Sequence, residues 1–170
     1  VSEALRRLTG AGLARVVGHV SAGPGPNAEV YAANHEAAFA VAVSVRDVLG
    51  TGLPAVAAAV CDVAGTVRGR AESPVDFLYT DPVDAVAATV ADLCRDAGID
   101  PQRLAHIQLA VPGAYDPRTD TIHHIDVPGW SRPGLVGAVR ARLGSEIGVD
   151  NDVNLAATAE RCRGVARDAD

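Results

Sequence analysis

The chain has 170 residues, of which 48% are hydrophobic and 21% are charged, and its formal net charge is −6 at pH 7. This composition excludes an intrinsically disordered protein, because enough apolar side chains are present to form a core. The acidic balance excludes a protein that binds nucleic acid along its whole length. The length suits one ordinary domain, or one domain with part of a second.

The three cysteines lie far apart in the sequence, at Cys61, Cys94 and Cys162. An odd, scattered set favours a reducing compartment over a disulfide framework or a zinc site. The first residues show no apolar segment after a basic cluster, and no apolar run reaches membrane-spanning length. We therefore expect a soluble, cytoplasmic protein without a membrane partner.

The first 34 residues predict a helix followed by a β-hairpin. Apolar residues recur at helical spacing from Val1 onward, and two glycines end the pattern. Strands are predicted at 13–20 and 29–33, on either side of a loop rich in Gly and Pro. Because the helical pattern starts at the first residue with no cap before it, we expect the chain to begin inside a helix.

From residue 35 onward, strands and helices alternate. Strands are predicted at 38–45, 53–62, 66–71, 104–111 and 146–149, with a short strand pair within 120–126. Helices are predicted at 81–97, 134–143 and 152–165; the first has Asp81 as its cap and Pro82 in its first turn. The run at 38–45 is apolar throughout, as expected for a buried strand. Three strands in a meander followed by this alternation predict an α/β fold with a mixed sheet.

One predicted strand ends in a Pro-Gly pair. The strand at 104–111 runs into Pro112-Gly113. Such an end brings backbone close to whatever occupies the carboxyl end of the strand, where ligands bind in α/β sheets. Asp126 follows, just before the turn at 127–130. For Trp130, the only tryptophan, the sequence favours a structural role in the core.

Asn151 and Asp152 lie where the last predicted strand meets the last predicted helix. Polar side chains and free backbone N–H groups come together at such a junction. Asp152 could act as a general base toward a sugar hydroxyl, with Asn151 fixing a neighbouring hydroxyl. Asp152 could equally cap the helix, which is a common stabilising role. From these residues alone both interpretations stay open.

The N-terminal helix and hairpin resemble the recognition helix and wing of a winged helix-turn-helix. In this interpretation Ser2, Arg6 and Arg7 lie near DNA phosphates. The alternative is a surface helix and hairpin with two exposed arginines. The position of these elements just ahead of an α/β domain favours the DNA-binding interpretation.

Together these segments resemble the ROK (repressor, ORF, kinase) family. The resemblance covers essentially the whole chain. Its most specific parts are VDNDVNLAATAE at 149–160 and the spacing from Pro112-Gly113 to the turn at 127–130. It implies an actin-like, ribonuclease-H-type α/β fold in which two subdomains clasp a sugar. We expect residues 1–34 to be the C-terminal part of a winged helix-turn-helix and residues 35–170 to be the N-terminal lobe of the ROK domain.

The resemblance also implies roles for single residues. In the family's kinases, the aspartate that matches Asp152 is the catalytic base, and the residues that match Gly113, Asn151 and Asp152 touch the sugar. Asp126 stands where the family commonly has an asparagine, so it can accept hydrogen bonds from sugar hydroxyls but cannot donate them. The predicted sugar ligands are Gly113, Asp126, Asn151 and Asp152.

The sequence departs from the family at the phosphate loop of the kinases, which has the form Asp-x-Gly-x-Thr. Ser44 takes the place of the aspartate and Arg46 that of the glycine. Without the glycine the backbone cannot easily wrap a phosphate, and without the carboxylate the metal–nucleotide site loses a partner. We therefore expect no kinase activity and no catalytic residue, and we assign no cofactor. No metal site is expected either, since Cys162 has no partner at zinc-site spacing. The wing, with Pro24, Pro26 and Asn27, lacks the arginine often found there, so groove reading by the wing is not expected.

These observations predict a sugar-responsive bacterial transcription repressor. A sugar or sugar phosphate would bind between two lobes, alter the geometry of a homo-oligomer and release operator DNA. The alternatives are an ATP-dependent ROK sugar kinase and a fragment without activity of its own. We expect the chain to be truncated at both ends and not to bind an operator by itself.

Overall fold

The structure, a computed structural model, describes residues 2–20, 28–46 and 52–167. The strands are β1 (Ala14–Val20), β2 (Ala28–Ala33), β3 (Phe39–Arg46), β4 (Ala55–Asp62), β5 (Val67–Pro74), β6 (Leu104–Val111), β7 (Ala114–Asp116), β8 (Thr121–His123) and β9 (Ile147–Asn151). The helices are α1 (Ser2–Gly10), α2 (Pro82–Ala97), α3 (Leu135–Leu143) and α4 (Asp152–Arg163), and Pro101–Arg103 form one turn of 3-10 helix.

The N-terminal elements are a helix followed by an antiparallel hairpin. β1 pairs with β2, with Ala14 opposite Ala33. Helix α1 ends at glycine as predicted, and Gly12 has a φ of 72°, which only glycine adopts without cost. The connecting segment 21–27, which includes the predicted wing residues Pro24, Pro26 and Asn27, lies outside the described residues.

A five-stranded sheet in the order β5-β4-β3-β6-β9 forms the centre of the fold. The pairs β3–β4 and β4–β5 are antiparallel, whereas β3–β6 and β6–β9 are parallel. The prediction of an α/β fold with a mixed sheet is therefore confirmed. Because β3, β6 and β9 run in the same direction, their carboxyl ends meet at one edge of the sheet.

Helix α2 forms where its local capping residues predict it. The Asp81 carboxylate accepts a hydrogen bond from Val83 N at 2.8 Å, and Gly98 ends the helix in the left-handed conformation. The apolar side of α2 is buried against the sheet in one continuous core. Trp130 is fully buried in that core and packs edge-on against Phe77, with ring centroids 5.7 Å apart. This burial agrees with the structural role predicted for Trp130.

Strand β3 is buried on one face only. Val41 and Val43 belong to the core, whereas Ala42 on the other face is exposed. Small alanine side chains on the open face make the run look uniformly apolar in the sequence. The expectation of a wholly buried strand is therefore wrong for that face.

Three predicted limits of strands and helices also need correction. The short strand pair predicted within 120–126 does not form there, because β8 pairs with β7, which places Tyr115 opposite Ile122. Strand β9 continues to Asn151, two residues beyond its predicted end. Helix α4 ends at Arg163 rather than at residue 165.

Polar contacts attach the N-terminal hairpin to the sheet. Asn34 Nδ2 donates a hydrogen bond to Gly12 O at 2.8 Å. Arg68, at the start of β5, contacts Glu36 at 2.9 Å and Asp62 at 3.5 Å. The Asn34 bond joins the end of the hairpin to the turn after α1, and the Arg68 contacts fix the segment between β2 and β3 against the β4–β5 turn. No helix in the described ranges is long and apolar enough to span a membrane.

Candidate functional site

A cleft of about 720 Å³ opens at the carboxyl ends of β6 and β9. Two strand ends, the β7–β8 hairpin and the start of α4 form its walls. The residues that line it are Pro112, Gly113, Ala114, Tyr115, His124, Val149, Asp150, Asn151, Asp152 and Asn154. Three of the four predicted sugar ligands, Gly113, Asn151 and Asp152, therefore lie together in one cleft.

Gly113 allows a very close approach of backbone, as the Pro-Gly signal predicts. A Cβ atom at this position would lie 2.6 Å from His123 O and 3.0 Å from Ile122 Cγ2. The group that approaches is thus the chain's own segment after β8. Any side chain at Gly113 would push this segment, and the cleft wall that it forms, out of place.

Asn151 holds two walls of the cleft together. Its Nδ2 group donates to Gly113 O at 3.0 Å. Its Oδ1 atom accepts from Val153 N at 2.9 Å and from Asn154 N at 3.4 Å, which makes Asn151 the N-cap of α4. The alternative that Asp152 caps the helix is therefore wrong, since Asp152 is the first helical residue. Asn151 thus positions the cleft, and its second amide hydrogen has no recorded partner among the described residues.

Two carboxylates line the cleft beside Asn151. Asp152 Oδ1 lies 2.8 Å from Val153 N, and Asp150 Oδ1 accepts from Asn151 N at 2.7 Å and from Asn154 Nδ2 at 3.1 Å. These contacts fix the two side chains at the strand–helix junction. Each carboxylate has a second oxygen for which the described residues record no partner, so both can accept hydroxyl donors.

The β7–β8 hairpin is anchored by Asp120. This residue has a φ of 49°, and its carboxylate accepts from Tyr115 Oη at 3.1 Å and from Gly137 N at 2.8 Å. Its carbonyl accepts from Gly134 N at 2.8 Å. Burial and the hydrogen bond to Asp120 raise the pKa of Tyr115 above its ordinary value. These bonds account for the left-handed backbone at Asp120 and fix the hairpin against α3.

His124 is a cleft residue that the sequence analysis missed. It follows β8, lines the cleft and has a φ of 58°. Its neighbour His123 is exposed and does not line the cleft. Nothing in the pattern of the two consecutive histidines distinguishes them; only the hairpin geometry does.

Asp126, the fourth predicted sugar ligand, is not brought together with the other three. It is exposed and lies two residues after His124, outside the set of residues that line the cleft.

The end of β3 carries the two positions that differ from a kinase phosphate loop. Ser44 is half-buried and lies next to Ala110 of β6 in the parallel register. Arg46 is exposed, and its guanidinium lies 3.8 Å from the carboxylate of Glu72. Residues 47–51, which follow directly, lie outside the described residues.

The predicted DNA-contacting residues lie on α1, apart from the cleft. Ser2 is the first residue of this helix. Arg6 and Arg7 are both exposed, and Arg6 forms an ion pair with Glu3 one turn away.

The three cysteines lie in different environments: Cys94 is buried, Cys61 half-buried and Cys162 exposed. Burial raises the pKa of the Cys94 thiol, so this side chain behaves as an apolar core residue. Within residues 2–20, 28–46 and 52–167, no three His, Cys, Asp or Glu side chains gather into a metal-binding group.

Comparisons with known proteins identify the family. The sequence model of the ROK family matches residues 49–170, a range that contains every residue lining the cleft. The chain belongs to the ROK family. A comparison with curated protein sequences gives no significant match.

Solved ROK structures share the fold. A ROK hexokinase from Thermus thermophilus is 25% identical, with a TM-score of 0.58 over 72% of this chain and 38% of its own. A ROK family glucokinase from Streptomyces griseus, in complex with glucose and AMPPNP, is 24% identical, with a TM-score of 0.58 over 75% and 38%. A ROK family transcriptional regulator, a homolog of the E. coli MLC protein, is 17% identical, with a TM-score of 0.60 over 95% and 40%. The chain therefore spans about two fifths of the length of these proteins.

Proposed function

We propose that this ROK chain belongs to a sugar-responsive transcription repressor. Residues 1–34 are the C-terminal part of a winged helix-turn-helix, and residues 35–170 are the N-terminal lobe of a sugar-binding ROK domain. Operator DNA is the partner of the first unit in the intact protein, and a sugar effector is the ligand of the second.

The order of the N-terminal elements carries this proposal. A match to a ROK regulator that covers 95% of the chain leaves only about nine of its 170 residues outside. At least about 25 of residues 1–34 must therefore fall within the match. The matches to the two kinases cover 72% and 75% of the chain. This difference in coverage supports a regulator-like N-terminal unit in this chain.

The distribution of charge supports DNA contact by the N-terminal unit. Residues 1–34 contain three Arg and two Glu, whereas residues 35–170 contain twelve Arg and nineteen Asp or Glu. The small positive balance therefore lies on the unit that carries Ser2, Arg6 and Arg7. Arginine side chains and the hydroxyl of a serine at a helix start are groups that contact DNA phosphates.

The cleft supports sugar binding. Asp150 and Asp152 present carboxylate oxygens to it, and such oxygens accept hydrogen bonds from sugar hydroxyls. We propose that Gly113, Asn151 and Asp152 form the floor of the sugar site, and that Asp126 contacts the sugar from the exposed segment after His124. Asn151 and Asp152 would hold hydroxyls without catalysing a reaction.

The end of β3 argues against phosphoryl transfer. A nucleotide site needs backbone N–H groups close to the phosphates and an acidic side chain near the metal. Here the Arg46 side chain lies toward Glu72, and Ser44 supplies a hydroxyl instead of a carboxylate. The protein would therefore bind its sugar and leave it unchanged.

Sugar binding could reach the DNA-binding unit through the contacts beside β3. Closure of the cleft around a sugar would move the carboxyl ends of β6 and β9 relative to β3. The Arg68–Glu36 ion pair attaches the segment after the hairpin to the start of β5, beside the amino-terminal end of β3. We propose that this attachment transmits the change to the winged helix in a homo-oligomer.

An ATP-dependent sugar kinase is the second candidate. It is favoured by the 25% identity to the Thermus thermophilus hexokinase and by Asp152, which stands where the family's kinases have their catalytic base. A kinase would phosphorylate a sugar whatever its N-terminal unit does.

The test is DNA binding by the intact protein. Fluorescence anisotropy would use labelled duplex DNA from upstream of the protein's own gene. Arg6→Ala and Arg7→Ala should each weaken binding and lower the slope of log affinity against log salt by about one. Arg95→Ala removes the same charge from the exposed side of α2 and serves as the matched control. Equal DNA affinity of all four proteins would contradict the role proposed for α1.

A further inference from the structure

We propose that His124 is a specificity-determining residue of the cleft, whose ring binds one hydroxyl of the sugar. This inference rests on the proposed function, because it assigns a ligand contact within the proposed sugar site. Three observations carry it: the backbone conformation of His124, the way its segment is held, and the donors that the cleft otherwise offers.

The backbone at His124 adopts a conformation that side chains rarely take. Its φ of 58° lies in the left-handed region, which is costly for residues other than glycine and clusters at ligand sites. Asp120 is the other non-glycine residue with a positive φ in the described ranges, and its own hydrogen bonds explain its conformation. The described residues record no hydrogen bond for the His124 ring that would do the same. The ring is thus presented to the cleft without an internal partner.

The segment that carries His124 is fixed by packing against Gly113. The absence of a Cβ atom at Gly113 lets His123 O approach, at 2.6 Å from where that atom would lie. On the other side of Gly113, its carbonyl accepts the 3.0 Å hydrogen bond from Asn151. One glycine therefore lies between the segment that carries His124 and the strand–helix junction that carries Asp152, and both line the same cleft.

Each side-chain amide in the cleft keeps one uncommitted N–H group, whereas His124 carries the imidazole, for which the described residues record no partner at all. Tyr115 donates its hydroxyl hydrogen to Asp120, and Asn151 and Asn154 each commit an amide hydrogen to a partner within the chain. The carboxylates of Asp150 and Asp152 can only accept. A sugar hydroxyl is both donor and acceptor, so it can donate to a carboxylate while it accepts from the imidazole. With no internal partner, the His124 ring is free to complete this pairing.

A site that hydrogen-bonds one hydroxyl discriminates against a sugar that lacks it. Isothermal titration calorimetry on the intact protein would measure the affinities of glucose, mannose, galactose and N-acetylglucosamine, and then of the monodeoxy analogues of the sugar that binds best. His124→Ala should weaken binding of that sugar about three- to tenfold. For one deoxy analogue, wild type and His124→Ala should bind equally, because the hydroxyl that the ring contacts is gone.

Three further variants separate the ring from the backbone. His124→Gly removes the ring and relaxes the positive φ, so it should lose sugar affinity while it gains thermal stability. His124→Asn tolerates the left-handed conformation and restores a donor, so it should regain part of the affinity. His123→Ala removes the exposed neighbouring ring and should bind sugar like the wild type.

The possible failures are distinguishable. If the wild type binds one of the sugars and the His124 variants bind it equally well, the role of His124 is wrong and the sugar-responsive regulator stands. If His124→Ala loses the same factor for every deoxy analogue, the ring acts on the shape of the cleft and reads no hydroxyl. If the wild type binds none of the four sugars, this inference and the proposed sugar site are overturned together.

Discussion

Asn151 Nδ2 donates a hydrogen bond to Gly113 O over 3.0 Å, and this bond joins the carboxyl ends of two parallel strands. The same amide caps α4 through its oxygen. Asn151 therefore connects the strand end that carries the Pro-Gly pair to the helix that carries Asp152. Three of the predictions below concern residues of this cleft, and a fourth concerns the ion pair between Asp81 and Arg132.

Asn151→Asp separates capping from the bond to Gly113. An aspartate still accepts from Val153 N, but it cannot donate to the Gly113 carbonyl and places a negative charge beside it. We expect Asn151→Ala to lower the free energy of unfolding by about 1 kcal/mol through loss of the cap. Asn151→Asp should keep the cap yet lose sugar affinity as much as the alanine variant. Urea unfolding and calorimetric titration measure the two effects; an Asn151→Asp protein with wild-type affinity would contradict this account.

Gly113→Ala should disturb the cleft wall. The added methyl group would lie 2.6 Å from His123 O, so the segment after β8 must shift. Overpacking of this kind costs about 1–3 kcal/mol of unfolding free energy, and it should abolish measurable sugar binding. Gly18→Ala on β1 is the control, since a methyl group there has no atom within 4 Å. Equal thermal stability of both variants would show that the hairpin does not rest on Gly113.

The ion pair between Asp81 and Arg132 predicts a pH-dependent stability. Arg132 Nη1 and Nη2 lie 2.5 and 3.0 Å from the Asp81 carboxylate, and this contact lowers the pKa of Asp81. A lowered pKa contributes stability that is fully present above the ordinary Asp value near 3.8 and is lost as the pH falls through the lowered value. Because the pair is partly exposed, Arg132→Ala should cost at most about 1 kcal/mol at pH 7.

The measurement is urea unfolding of the wild type and Arg132→Ala between pH 7 and pH 2. Their difference in unfolding free energy should stay constant down to about pH 4 and shrink below it. Arg142→Ala, which removes a 4.0 Å contact to exposed Asp84, is the matched control and should have little effect. A difference that grows on acidification would contradict the assignment.

Asp152→Asn tests whether the cleft binds or catalyses. The amide oxygen can still accept a hydrogen bond from Val153 N, but the side chain is neutral and can no longer act as a general base. A regulator should keep its DNA affinity in the absence of sugar and need about tenfold more sugar for the same response. Thermal melting of the same samples controls for folding. Detectable sugar phosphorylation by the wild type that Asp152→Asn abolishes would instead establish the kinase.

Local signals in the sequence account for much of the fold. Asp81, Pro82 and Gly98 mark the limits of α2 because a cap, a first-turn proline and a left-handed glycine act within a few residues. The three-residue strand β7 escaped prediction, since it is defined only by its partner across the hairpin. The two faces of β3 could not be separated either, because Val and Ala are both apolar and only burial in the folded core distinguishes them.

In the candidate site too, local signals could be predicted from the sequence, whereas features set by distant partners could not. Gly113, Asn151 and Asp152 were predicted from their positions at strand ends, and the parallel register of β6 and β9 brings them together. His124 was missed because its place depends on the turn after β8, where Gly113 admits the backbone. For Asp126, the family resemblance implied a ligand, and the structure has this residue outside the lining of the cleft.

The most direct test of the central claim combines DNA binding with turnover in one titration. The anisotropy of the labelled upstream DNA would be followed with the intact protein and ATP present while each sugar and its phosphate are added, and ADP formation would be measured in the same samples. The repressor account predicts that one of these ligands releases the DNA and that no ATP is consumed. Sugar-dependent ATP consumption without any change in DNA binding would contradict it.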